Sequence, residues 1–175
     1  MFSKRLPAFF LVSVAILLFS SSNLLAQGAE QKPIVAPGAA AKFGPIPNAP
    51  ECFTIAVEQG DPAKGPSVIL AKFAPGCVAP FHWHTPSETV MVVGGSLQTQ
   101  MKGEAAFVGH QGDYVFLPPR HAHRATCIGT TPCLVFLVSD GAFDIHWIDA
   151  AGKEISLEEA LRAVKSAKPA PAAKP

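Results

Sequence analysis

From residue 51 onward the apolar positions come in short runs broken by turn residues. "CFTIAVEQ" (52–59) and "SVILAKFAPG" (67–76) read as two strands joined by the loop "GDPAKGP". "PFHWHTPSETVMVVGGSLQTQMKG" (80–103) reads as three strands, bent at Thr85-Pro86 and turning at Gly94-Gly95. "EAAFVGHQGDYVFLPP" reads as a hairpin turning at His110 to Asp113, "HAHRATCIGTTPCLVFLVSDG" as two strands, and "AFDIHWIDAAG" as one more. Roughly nine or ten short strands at this spacing predict an all-β sandwich or barrel over residues 51–150. The period then changes. Ser156-Leu157-Glu158-Glu159 is a capping box, and Leu157, Ala160, Leu161 and Val164 form one stripe, so one C-terminal helix is predicted within 151–166.

The ends lack either period. Residues 1–28 place Lys4 and Arg5 before an apolar stretch from Leu6 to Phe19 and a small-x-small site at Ala26-Gln27-Gly28, a signal-peptide pattern. The stretch is short of the roughly 20 residues a membrane span needs, so no stable anchor is expected after cleavage, and a mature start between Gln27 and Glu30 is expected. Residues 29–50 hold five prolines and read as an extended arm or linker; its apolar Ile34, Val35, Phe43 and Ile46 can lie along the domain or along a partner in a homodimer. Residues 167–175, "AKPAPAAKP", read as a disordered tail.

Composition narrows the classes. The formal net charge is +1 with no basic stripe, which excludes a nucleic-acid partner. Export to a secreted or periplasmic location puts Cys52, Cys77, Cys127 and Cys133 in an oxidising compartment, where three pairings are available. Cys127 and Cys133 flank "IGTTP" and can close that hairpin; Cys52 and Cys77 sit near the outer ends of the first one. Four buried thiols are the alternative. A Cys/His zinc site lacks the Cys-x-x-Cys spacing.

The candidate chemistry lies in "GCVAPFHWHTPSETVMVVGG" (76–95). On a strand, residues i and i+2 share a face, so His82 and His84 project together and Trp83 points away. Glu88 follows the bend at Thr85-Pro86 and can return to the same space. Two imidazoles and a carboxylate suit a divalent transition metal, with a further ligand to come from the His121–His123 region. His121 is open as a hydrogen-bond partner of His123 or a substitute ligand. His110 reads as a turn residue. His146 reads as an exposed strand residue or a pocket wall, and Arg120 as a solvated turn residue or a contact for an anionic substrate. Met91, Phe107, Phe116, Phe136 and Trp147 read as core or pocket lining.

These motifs resemble the cupin superfamily. Its first motif runs Gly, five residues, His-x-His, three or four residues, Glu, six residues, Gly, and Gly76, His82, His84, Glu88 and Gly95 match every gap. Its second runs Gly, five residues, Pro-x-Gly, two residues, His, three residues, Asn. Gly112, Pro118 and His123 match, while Arg120 stands for the Gly and Cys127 for the Asn. The resemblance covers roughly residues 52–138. It implies a double-stranded β-helix (jelly-roll) barrel of the small single-domain (monocupin) type, with one metal (Mn, Fe, Ni, Zn or Cu) held by His82, His84, Glu88 and His123. On this reading the protein is a metal-dependent oxidoreductase of dioxygenase type acting on a small organic molecule, with Glu88 and His121 as candidate catalytic groups. The alternatives are a non-catalytic metal- or ligand-binding sensor or scavenger of the envelope, and an isomerase or decarboxylase acting on a sugar or keto acid.

Overall fold

The computed structural model describes residues 32–166. The expected signal peptide (1–28) and tail (167–175) lie outside them. A short 3-10 turn at Gly38–Ala40 leads into β1 (Gly44–Pro45), β2 (Phe53–Gly60), β3 (Ser67–Phe73), β4 (Val78–Trp83), β5 (Glu88–Gly94) and β6 (Ser96–Met101). The chain continues through β7 (Phe107–Gly109), β8 (Tyr114–Leu117), β9 (His123–Ile128), β10 (Cys133–Ser139), β11 (His146–Trp147) and α1 (Leu157–Ser166). Among the described residues no helix is long and apolar enough to cross a membrane.

The strands form two antiparallel sheets, ordered β1-β2-β3-β10-β5-β8 and β11-β4-β9-β6-β7. Period-2 alternation puts Ile69, Ala71, Val90, Val92, Val135 and Leu137 of one sheet against Leu97, Ala125 and Trp147 of the other. This is the jelly-roll barrel that the motifs imply. The expected helix forms as well. Ser156 Oγ accepts from the Glu159 N–H (3.2 Å) and the Glu159 carboxylate accepts from the Ser156 N–H (2.9 Å), with Ala160 buried on the side toward β4.

Two expectations change. The segments around His110–Asp113 and Cys127–Cys133 are not hairpins. β7 pairs with β6 while β8 pairs with β5, and β9 and β10 belong to different sheets. Strands adjacent in sequence instead cross between sheets at corners made by positive-φ glycines: Gly95 (φ 74°), Gly112 (φ 95°) and Gly129 (φ 86°). At Gly95 a Cβ would stand 2.6 Å from the Pro132 carbonyl oxygen, so a side chain is excluded sterically as well. The 29–50 arm, for which lying along the domain is one of two expectations, is joined to the domain from Gly44 onward. Gly44 and Pro45 pair with Ile55 and Thr54, and the Trp147 indole N–H donates to the Asn48 carbonyl at 2.9 Å. Of its apolar Ile34, Val35, Phe43 and Ile46, the first two are exposed, at 61% and 87%, and the other two are half-buried. Finally, Met91, Phe107 and Phe116 are exposed and Phe136 is half-buried on the outer faces; only Trp147 of that group is fully buried. Alternation put them on the outward phase, and apolar character alone did not reveal this.

Both disulfides form, Cys52–Cys77 and Cys127–Cys133, each with Cα atoms 5.6 Å apart. The Cys127 N–H donates to the Cys77 carbonyl at 2.9 Å, so the two bridges sit side by side. Each ties the six-stranded sheet to the five-stranded one. The loops they close span 25 and 6 residues, and chain entropy then gives about 3.5 and 2 kcal/mol respectively. The double variant Cys52→Ser/Cys77→Ser is therefore expected to lower the denaturant midpoint more than Cys127→Ser/Cys133→Ser. Thiol titration of the unfolded, unreduced wild type should find no reactive thiol.

Candidate metal centre

β4 carries a bulge that aims His82. Ala79 pairs with Ala125, but the next pair is His82 with His123, three residues on in β4 and two in β9. The extra residue reverses the side-chain phase, so that Ala79 and His82 both face the interior. Pro80, which has no N–H to give a ladder, sits inside the bulge. Its freed carbonyl accepts the Nδ1–H of His82 at 2.7 Å.

The same local device recurs at His123, whose Nδ1–H donates to the carbonyl of His121, also two residues back, at 2.9 Å. His84 uses a distant acceptor, the Asp144 carbonyl. A carbonyl can only accept, so all three rings carry their proton on Nδ1 when neutral and leave the Nε2 lone pair free. One ligand nitrogen from each ring lies within 4.8 Å of the others. The rings are close, His82 to His123 at 4.2 Å and His82 to His84 at 4.8 Å between centroids.

Glu88 opens β5 and stands beside the three-histidine group, outside the mutual 4.8 Å that the ring nitrogens share. Its Oε2 lies 3.5 Å from His123 Nε2 and 3.7 Å from His84 Nε2. The Thr85–Ser87 bend that returns it is clamped by two aspartates. Asp144 Oδ1 accepts from the Thr85 N–H (2.7 Å) and Asp140 Oδ1 from the Ser87 N–H (2.9 Å). All four groups are buried, at 3–6% exposure. Burial, with repulsion from His123 and His84, holds the His82 ring well below its ordinary value. Burial also lowers His84, opposed in part by Glu88. For Glu88 burial alone would raise the carboxyl, but His84 and His123 outweigh it and the group stays below the usual range. The result is two imidazoles, His82 and His84, held toward the neutral form and one carboxylate held as an anion, beside the Nε2 of His123. Among the described residues no Lys or Arg lines the cavity around them, and Thr99 is the one other polar, non-aromatic side chain there.

The remaining candidates lie outside this cluster. The His121 ring does not line the cavity; its backbone carbonyl is what the site uses. His110 holds the turn, with its N–H to Asp113 Oδ2 (2.8 Å) and Nδ1 against Ser96 Oγ (3.1 Å). His146 stacks flat on Trp83 (3.8 Å, 1°) between Asp144 Oδ2 (3.2 Å) and Glu154 Oε2 (3.3 Å). Arg120 covers the Trp83 ring at 4.7 Å. It adopts φ 60°, the conformation that the glycine of the second motif would supply, and its N–H donates to the His84 carbonyl at 2.8 Å. That backbone shape costs a non-glycine residue about 1–2 kcal/mol. Asp140 and Asp144 escape sequence reasoning, because their roles depend on the return of a segment more than fifty residues away.

The family model for the cupin domain matches residues 69–139, from β3 to the end of β10. No curated protein matches the sequence. Among solved structures, the polyketide cyclase RemF from Streptomyces resistomycificus is similar over 65% of this chain and 84% of its own (TM-score 0.57, 16% identity). An RmlC-like cupin from Ralstonia eutropha is similar over 75% and 86% (TM-score 0.55, 20% identity). The DMSP lyase DddQ from Ruegeria pomeroyi is similar over 64% and 68% (TM-score 0.50, 18% identity). At these identities the structures speak for the fold; residues 69–139 match the cupin domain, and the barrel built around them is the cupin-type jelly roll.

Proposed function

We propose that this cupin binds one divalent transition metal through Nε2 of His82, His84 and His123 and the carboxylate of Glu88, and that it is a metal-dependent oxidoreductase acting on a small organic molecule. The observation that carries the metal is the buried Glu88 anion. It stands beside three inward lone pairs with no cationic side chain among the described residues of its cavity. An isolated buried carboxylate is costly, and a divalent ion would neutralise it while engaging the lone pairs. Mixed N and O donors suit manganese, iron, nickel, zinc or copper, and a four-donor set leaves positions open for a substrate. When bound, such an ion supplies Lewis-acid and redox chemistry.

The protein's own part is to hold these donors and exclude water. Glu88 is the one group in the cavity other than the three histidines that can carry a proton. His121, His146 and Arg120 do not line it. Sugar isomerisation and keto-acid decarboxylation draw on further acid–base or cationic groups, so the cavity favours metal-centred redox chemistry over them. The same scarcity is what supports the second reading, a non-catalytic metal- or ligand-binding cupin. Two disulfides support a secreted or periplasmic location, since cytosolic thiols stay reduced.

Elemental analysis of protein purified without a polyhistidine tag should find about one transition metal per chain. His123→Ala should weaken binding by at least about 100-fold. His121→Ala keeps the carbonyl that orients His123 and should cost far less, and His110→Ala nothing. Loss of metal from His121→Ala with retention by His123→Ala would reverse the assignment.

The donors also set a pH dependence for the metal-free protein. His82 and His84 have folded values below the ordinary 6.5, so the unfolded chain binds more protons as pH falls. Their contribution is complete above about pH 6.5 and is lost as pH falls through the depressed values, at about 1.4 kcal/mol per pH unit for each proton. Glu88 acts with the same sign lower down, its contribution present above the ordinary 4.5 and lost below it. Denaturant titrations of chelator-treated protein should show stability level near pH 7–8 and falling below about 6.5. Undiminished stability at pH 5 would contradict the neutral-histidine site.

A further inference from the structure

The cavity around the four donors is small, about 40 Å3. By volume it holds about three waters, or the donor end of a ligand but little more. A second depression, about 250 Å3, lies beyond it between the arm, β2 and the loop after β2, with Ile46, Ile55, Pro47 and Pro62 among its walls. Phe143 and Ile145 line both spaces. One layer of side chains therefore separates the donors from an apolar groove open to solvent.

We propose that the groove and the cavity are two parts of one ligand channel, gated by the Phe143 side chain, and that the channel takes an apolar, uncharged molecule bearing a single metal-binding donor. This rests on the metal reading above. The backbone at the partition is held: the Phe143 N–H donates to the Pro62 carbonyl at 2.7 Å, and the Asp144 carbonyl holds the His84 ring. Side-chain rotation of Phe143 is thus the motion that opens the partition without disturbing His84. Its ring rests on His84 at 4.6 Å, at the entrance to the donors.

The ligand class follows from what the walls lack. Asp144 is the one charged residue of the groove, and both its oxygens are engaged, by the Thr85 N–H and by His146. Inside, Thr99 is the one polar, non-aromatic side chain besides the four donors. A sugar would leave several hydroxyls without partners, at about 1–3 kcal/mol each. A dicarboxylate such as 2-oxoglutarate would place a second charged group where no cation meets it. An apolar body in the groove with one donor head in the cavity leaves neither problem.

The test uses the full chain loaded with cobalt(II), whose visible absorption reports a change of ligand, and the same protein after chelation. Imidazole serves as a bare donor, 4-phenylimidazole as a donor with an apolar body, and 2-oxoglutarate and glucose as polar competitors. The wild type should bind 4-phenylimidazole at least about ten-fold more tightly than imidazole, given the apolar area it adds. The two polar compounds should leave the band unmoved. Phe143→Trp should abolish the advantage of the phenyl ring, and Phe143→Ala should keep it while speeding association. In metal-free protein benzene should raise the unfolding midpoint of the wild type and not of Phe143→Trp. Absence of a cobalt band would overturn the metal site, and the benzene arm would still decide the channel. Equal affinity for the two imidazoles, or a band shift with 2-oxoglutarate as large as with 4-phenylimidazole, would overturn the channel.

Discussion

The structure turns on three hydrogen bonds from imidazole Nδ1–H groups to backbone carbonyls, at Pro80, His121 and Asp144. Each leaves the opposite ring nitrogen aimed at a common point. Buried imidazoles without such bonds could present either nitrogen, and the two tautomers differ in whether a lone pair or a proton faces inward. Glu88 adds a buried negative charge to that point. The protein bears the cost of keeping four ionisable groups out of water, and a bound cation would offset it.

Much of the fold serves to put those carbonyls and rings in place. The bulge at Pro80 both turns His82 inward and frees its acceptor. Arg120, held in a left-handed conformation, fixes the backbone of His84 while the Asp144 carbonyl fixes its ring. Asp144 also reaches Thr85 and His146, so one residue links the bend before Glu88, the His84 ring and the Trp83–His146 stack outside the barrel. The disulfides lie toward the other end of the strands. Cys127 is four residues along β9 from His123, about 13 Å away at strand rise. They clamp one end of the sheets and leave the other to be shaped by side chains.

The strands were legible because alternation and turn residues are local signals, and so was the convergence of His82 with His84. Glu88 is legible from the bend at Thr85-Pro86, whereas His123 is singled out over His121 only through the cupin motif, since its approach depends on how strands pair. Pairing itself was misread at two corners: residues near Gly112 and Gly129 that look like hairpin turns carry the chain to the opposite sheet. The outward Met91 and Phe116 were misread because apolar character does not fix phase. The part His121 plays is carried by its backbone carbonyl and not by its ring, and every residue type has such a carbonyl, so the sequence carries no sign of it. Pro80 was the missed clue, since a proline within a strand signals a bulge.

The most direct test of this account is the tautomeric state of the histidines in metal-free protein above pH 7, read from long-range proton–nitrogen NMR correlations of the imidazole rings. His82, His84 and His123 are each expected to carry the proton on Nδ1, with Nε2 unprotonated and shifting when zinc is added. Protons on Nε2 in any of the three, or an Nδ1 signal that responds to zinc as a ligand would, contradicts it.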